Sequence, residues 1–334
     1  MKKGLITLIV VLSIAILATA CAQSPSKNEP VKIKAVVLPY TSFGPFFIAQ
    51  EEGFFTDYNL EVEFVRMDSG SSPLALLEEG SIDVLGSGPN LGLFNALASG
   101  SDIRIVADKG YLAKDGCTYM ALLASKDWVE KNQTLTADSL RNAKVSIDPI
   151  NFEAFMFDQV LQSVGLTQED INIQDISPAA LSDALSNKAV DIVSIGDPWI
   201  VKLTGSGETV VWKPYQEIVP NMQFGVILFN DNLIKNNPDA GVRFLAALLK
   251  GVEQYNQGKT DRNIEIMAKY TNLDPEILKK ACWPPMNTSG EINFQAVDAF
   301  QAWAFQKGLI EKQIPVSGYW YPDLLKKAEK LLKK

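Results

Sequence analysis

The apolar positions fall into short continuous runs separated by stretches with apolar residues at helical spacing. Lys34–Leu60, KAVVLPYTSFGPFFIAQEEGFFTDYNL, sets the pattern. A buried strand (Ala35–Leu38) leads into a tight polar-aromatic loop (Pro39–Gly44), then a helix from Pro45 to about Glu52. Pro45 suits a first helical position, where its missing N–H would be unpaired anyway. Gly53 suits the left-handed residue past the helix end. The loop aims free N–H groups of the helix start beyond the carboxyl end of the strand, where open α/β sheets bind ligands. An ordinary strand-to-helix corner would read the same way.

The alternation continues. Strand Val31–Leu38 and helix Pro45–Glu52 are followed by strand Leu60–Arg66, a Ser69-Gly70-Ser71-Ser72 loop and helix Pro73–Glu79. Strand Ile82–Leu85, helix Pro89–Ala98 and strand Ile103–Ala107 complete a first set. A second set starts after Gly110–Gly116, with strands Thr118–Ala124, Lys144–Ile147, Ile171–Asp175, Val190–Ile195, Thr209–Trp212 and Gln223–Phe229. Its helices are Asn151–Val164, Pro178–Ser186 and one from Pro198. Strands alternating with helices imply βαβ units and a mostly parallel sheet. The sets echo each other in Ile82-Asp83-Val84-Leu85 and Val190-Asp191-Ile192-Val193, each a buried strand running into a helix start rich in Gly and Pro. After Phe229 the pattern is helical, with Val242, Leu245, Leu248, Leu249 and Val252 on one face of Pro238–Gln257. Asp261 and Asp274 read as N-caps. These last helices are expected to cover the first lobe. The expected organisation is lobe one at 31–115 and 230–334 and lobe two at 116–229. The two crossings, near Gly110–Thr118 and Gln223–Phe229, would make a hinge.

The first thirty residues break this pattern. Lys2 and Lys3 precede an apolar run from Leu5 to Ala18, then Ala18-Thr19-Ala20-Cys21. A basic start, a short apolar run and small residues make an export signal over residues 1–20. The run is short for a membrane span. The cysteine after the small residues resembles a bacterial lipobox, with Ala18 where Leu is usual and Leu17 one place earlier. Cleavage there would leave Cys21 for lipid attachment and residues 21–30 as a flexible tether. Removing residues 1–20 takes two of the 31 basic residues and none of the 39 acidic ones, so the net charge goes from −8 to −10. That balance argues against a nucleic-acid partner and leaves Cys21 as the only membrane contact. Cys117 and Cys282 remain, and an exported compartment permits a disulfide without saying whether they meet. With no histidine in the chain, a zinc site or a histidine-ligated iron site is not expected. No cofactor is expected either.

The run GPFFIAQEEGFF, the strand NLEVEF and the helix end LLEEGSIDVLGSGP together resemble the substrate-binding lipoproteins of ABC importers, in the branch for nitrate, sulfonate, taurine and thiamine-pyrimidine uptake. The matching positions are Phe46-Phe47-Ile48-Ala49, Gly53-Phe54-Phe55, Gly80-Ser81-Ile82-Asp83-Val84 and Asp197-Pro198-Trp199. The resemblance covers Val31–Leu332 and is strongest in the first hundred residues. It implies an α/β periplasmic-binding-protein fold of two lobes closing on one small solute, each lobe a mostly parallel sheet with flanking helices. It also implies a lipid-anchored, extracytoplasmic monomer that delivers its solute to an ABC permease with its ATPase, and no catalysis.

Four helix starts would face the cleft. The first offers Tyr40, Ser42 and Phe43 as hydrogen-bonding groups and walls, although aromatics there also suit local packing. The second offers Ser87 and Asn90, with Gly88 permitting close approach; Ser87 also suits an N-cap. The third, Asp148-Pro149-Ile150-Asn151-Phe152, offers Asn151 and Phe152. The fourth offers Asp197, equally a cap or a contact, and Trp199, whose ring could cover a ligand and donate through its indole N–H. Phe224 on the returning strand would extend the wall. No Lys or Arg falls in these loops and two Asp do; Arg66, Lys109 and Lys114 read as solvated surface charges. The loops therefore lean towards a neutral, amine-bearing or heterocyclic solute, such as a thiamine pyrimidine or a flavin precursor, with zwitterions such as taurine left open. The alternatives are an enzyme on the same fold, of the thiamine-pyrimidine or menaquinone type, and a solute-sensing lipoprotein.

Overall fold

The computed structural model describes residues 29–67, 73–141, 143–149 and 151–333. The export signal over 1–20, Cys21, most of the tether, the Ser69–Ser72 loop and Ile150 lie outside the described residues.

The strands are β1 (Val31–Val37), β2 (Leu60–Arg66), β3 (Val84–Ser87), β4 (Arg104–Tyr111), β5 (Met120–Ser125), β6 (Lys144–Ser146), β7 (Asn172–Gln174), β8 (Ile192–Gly196), β9 (Thr209–Pro214) and β10 (Gln223–Phe229). They form two five-stranded sheets, ordered β2-β1-β3-β10-β4 and β7-β6-β8-β5-β9. In each sheet the first three strands are parallel, and the fourth runs against both of its neighbours. The α/β two-lobe class is as expected, and both sheets are mixed.

The sheets repeat one another down to a side chain. Asp83, before β3, donates its N–H to the Lys34 carbonyl and accepts the Lys34 N–H on its carboxylate; Asp191, before β8, does both with Lys144. The echo in the sequence is therefore a clamp that locks the third strand of each sheet onto its first.

The grouping of Gln223–Phe229 with lobe two is corrected. β10 is hydrogen-bonded between β3 and β4 in the first sheet, because seven consecutive buried residues need neighbours on both edges. The crossings are 112–119 and 215–222. Cys117 in the first crossing is disulfide-bonded to Cys282, beyond the helix Pro275–Lys280.

The C-terminal helices pack on the first sheet's helices, and one also reaches lobe two. Phe300 of helix Phe294–Gln306 meets Phe94 in lobe one and Phe155 in lobe two. Asp158 of lobe two, buried, accepts from Lys307 at 2.9 Å, Trp303 at 3.0 Å and Gln162 at 2.7 Å. Such triple satisfaction is what a buried carboxylate needs. Asp274 caps its helix as expected, whereas Thr260 caps the helix Asp261–Thr271, making Asp261 its first residue. Among the described residues no helix is long and apolar enough to cross a membrane.

Helix Pro238–Tyr255 lies against helix Gly44–Glu51, where Phe244 meets Phe46. A Cβ on Gly251 would stand 2.4 Å from the Pro45 carbonyl oxygen. Gly251→Ala is therefore expected to force the helices apart and cost about 1–3 kcal/mol, read as a lower urea midpoint with an unchanged slope.

Candidate functional site

Both sheets send strand ends to one cleft. The β1 chain continues through Leu38–Tyr40 into a single turn, Thr41–Phe43, and the helix Gly44–Glu51. β3 ends at Ser87 ahead of the helix Leu91–Ala98, which Asn90 caps by accepting from Leu93 N. β6 leads to the helix Phe152–Ser163, capped by Asn151 accepting from Glu153 N at 2.7 Å. The two caps meet across the cleft, where Asn90 and Asn151 form an antiparallel bridge. Two helix N-termini thus converge from opposite lobes.

Between them lies a cavity of about 260 Å³. Of the expected residues, Tyr40, Ser42, Phe43, Ser87, Asn151, Phe152 and Phe224 line it. Tyr119 stacks on Phe224 with centroids 4.5 Å apart, and Phe152 lies 6.2 Å from Phe224. The walls are mostly aromatic and apolar, with contributions from both lobes.

Three expected residues stand elsewhere. Asn90 is occupied as a cap, and its amide also donates to Ser87 Oγ and Gly88 O. Asp197 is buried behind the cavity, accepting from Val201 N and Cys282 N. Trp199 does not line the cavity; its ring lies under the Lys202 ammonium, 4.4 Å from the centroid. Cys282 also accepts at its carbonyl from Thr41 Oγ1 at 2.9 Å, so one residue joins the first cleft loop to the fourth.

The reading of Lys109 as a solvated charge is corrected. The fourth strand was expected to end at Ala107, but β4 runs to Tyr111 and carries Lys109 into the cavity wall. Its Nζ donates to Ser42 Oγ at 2.9 Å and lies 4.0 Å from the Phe43 ring centroid. Burial pushes its ammonium down to about 7, with Asp108 acting against that. Gly86 makes this path possible: a Cβ there would lie 2.8 Å from Lys109 Cε and 2.7 Å from the Phe43 ring. Glu153 was also missed, although it follows the helix cap by two residues and so turns its side chain to the cleft. Burial pushes its carboxyl up to about 8, helped by repulsion from Asp148 and Asp175 and opposed by the Ser194 hydroxyl, 3.2 Å away. Burial likewise pushes Tyr40 up to about 12 and Asp197 up to about 6.

A second cavity of about 420 Å³ adjoins the first through Tyr40, Asn151, Glu153 and Ile195 and adds Asp148 and Asp175 to its walls. The cleft therefore has an amine at its lobe-one end and carboxyls at its lobe-two end.

A model of the NMT1/THI5-like family matches residues 40–257, more than half of the chain. The chain is 24% identical over 345 residues to the putative aliphatic sulfonates-binding protein of Bacillus subtilis, covering 98% of this chain and 97% of that one. It is 24% identical over 259 residues to the nitrate/nitrite binding protein NrtA of Nostoc, covering 70% of this chain and 56% of that one. The crystal structure of the nitrate-binding protein NrtA from Synechocystis has the same fold, with a TM-score of 0.75 at 15% identity over 91% of this chain and 90% of that one. So has the desulfurization enzyme DSZB, with a TM-score of 0.65 at 12% identity over 90% of this chain and 99% of that one.

Glu153 has its proton affinity raised by folding, so the native state binds more protons than the unfolded state between about pH 4.5 and 8. Its contribution to stability is accordingly most favourable at acid pH and declines through that window. Glu153→Gln is expected to raise stability at pH 7 by on the order of 3 kcal/mol and to flatten the decline, measured by urea unfolding at several pH values.

Proposed function

The chain belongs to the NMT1/THI5-like family, and on that footing we propose that it is the solute-binding component of an ABC importer. The observation that carries this reading is the cavity of about 260 Å³ walled from both lobes, beside two crossings that can act as a hinge. Solute contacts made by both lobes favour the closed form by their differential affinity. The closed form then docks on a permease, and ATP hydrolysis elsewhere drives import. The chain performs no reaction of its own. That part of the reading rests on the sulfonates-binding relative it resembles over nearly its whole length, since the enzyme neighbour shares the fold alone.

The solute is a small organic molecule with a flat or apolar body. The rings of Phe43, Tyr119, Phe152 and Phe224 support that, and they suit a heterocycle of thiamine-pyrimidine or flavin-precursor type. The adjoining acidic cavity supports an amine substituent. A cation does reach the cleft, since Lys109 lines the cavity. Attachment follows the sequence reading: export, a lipid on Cys21, and a tether that leaves a monomeric binding domain free at the outer face of the membrane.

A thermal-shift screen of the mature chain, stripped of co-purifying solute by unfolding and refolding, tests the binding reading. The panel holds nitrate, taurine, alkanesulfonates, a formylated aminopyrimidine, riboflavin and aromatic acids. A saturable rise in Tm with one member is expected. A hundredfold excess over Kd corresponds to about 2.7 kcal/mol. No rise with any member, together with no small molecule released on unfolding the native protein, would count against it. Cys21→Ala is expected to move the chain from the membrane fraction to the soluble fraction.

A further inference from the structure

Lys109 is an amine held among neutral groups. Its partners at Nζ are the Ser42 hydroxyl and the Phe43 ring. Ser42 Oγ also accepts from the Tyr119 hydroxyl at 3.0 Å, so both of its lone pairs are engaged and its own O–H is left to donate. This end of the cavity is thus rich in donors, and a hydrogen-bond acceptor belongs there.

The charges around it do not balance an ammonium. Asp108, its neighbour on β4, turns away: Oδ1 accepts from Gly110 N and Gln223 Nε2, and Oδ2 accepts from Asn287 N. Glu153 faces the cavity from the helix Phe152–Ser163 of the other lobe, and burial pushes its carboxyl up to about 8, so it is mainly uncharged at neutral pH. Tyr40 and Tyr119 enter from the first cleft loop and from the end of the first crossing, and burial raises both phenols. A buried ammonium facing neutral groups is costly unless an opposite charge arrives.

We propose that Lys109, buried in the cavity wall with only the Ser42 hydroxyl and the Phe43 ring at its Nζ, is the charge-recognition group of this cavity, and that a sulfonate or carboxylate of the solute draws a proton onto Nζ as it binds. Capture then consumes a proton from solvent: solute anion, neutral amine and H⁺ give an ammonium–anion pair. The inference rests on the solute-binding reading above and narrows it to organic acids and zwitterions. The lowered proton affinity of the buried amine agrees with it, since a counter-charge would restore what burial removes. Affinity for such an anion should be nearly flat below pH 7 and fall about tenfold per unit above it, whereas a neutral heterocycle would bind without this slope.

The test has two parts. The first is an NMR titration of the Lys109 side chain in the solute-free mature chain, assigned by its disappearance in Lys109→Arg. The second repeats it with saturating benzenesulfonate, ethanesulfonate or benzoate and counts protons by calorimetry in buffers of different ionisation enthalpy. The proposal expects titration near neutrality without anion, an upward move of at least one unit with at least one anion, and uptake of 0.3–1 proton at pH 7.5, the order set by those two values. Titration near 10 in the solute-free protein would overturn it. So would titration near neutrality that none of the three anions moves. A neutral solute that binds tightly with no proton uptake would overturn this inference while leaving the binding-protein reading intact. Lys109→Met should lose the proton uptake and at least tenfold in anion affinity; should that variant fail to fold, the titration of the native protein still decides.

Discussion

The fold turns on where one strand is allowed to lie. β10 is buried along its whole length and hydrogen-bonded on both edges, so the chain cannot complete its first sheet until it has left, built the second and come back. The antiparallel direction of β10 matters as much as its position. It brings the amino end of β10 to the edge where β3 and β4 end, setting Gly225 opposite Gly110 and Gln223 opposite Tyr111. Phe224 and Lys109 therefore meet at the same cleft, although they belong to strands far apart in sequence. A parallel strand in that slot would have sent Phe224 to the opposite edge.

The lobes meet through contacts of different chemistry. The Asn90–Asn151 bridge joins two helix caps, and Phe152 and Phe224 pack across the gap. Cys282 joins Thr41 to Asp197. On one flank Asp158 accepts from Lys307 and Trp303. Several of these contacts use polar groups that water would satisfy equally well if the lobes parted, and exchanging such partners costs little net free energy. Parting the lobes would also separate Phe152 from Phe224 and Asp158 from Lys307 and Trp303, contacts that water does not replace in the same way.

Much of this was legible in the chain. The alternation of apolar runs and amphipathic stretches gave the α/β class, the helix starts after strands gave six of the cavity's lining residues, and the returning strand gave a seventh, Phe224. The repeated Ile/Val-Asp pair marked equivalent strands, though only the structure shows that each aspartate clamps a neighbouring backbone. What failed was local reasoning about polar residues. Asp108-Lys109-Gly110 looks like the end of a strand, and nothing within ten residues says that a Gly86 in another strand leaves room for the lysine stem. Likewise Gln223–Phe229 has the same apolar composition in either sheet, and its partner is chosen by long-range pairing that periodicity does not encode. Trp199 and Asp197 sit at the right helix start, but Asp197 is taken by the Cys282 N–H, a partner 85 residues away that the sequence does not display.

The hydrogen bond from Thr41 to Cys282 spans 241 residues of chain, and that separation has a meaning for the order in which the molecule is made. The first cleft loop is among the earliest parts of the fold to be synthesised, yet its partner emerges late, after both sheets have their strands. Contacts of such separation form slowly, because the intervening chain must be ordered first. A growing chain therefore has no finished cavity. Its early folding proceeds without that surface, and the cavity wall is complete only in molecules whose folding has run nearly to the end.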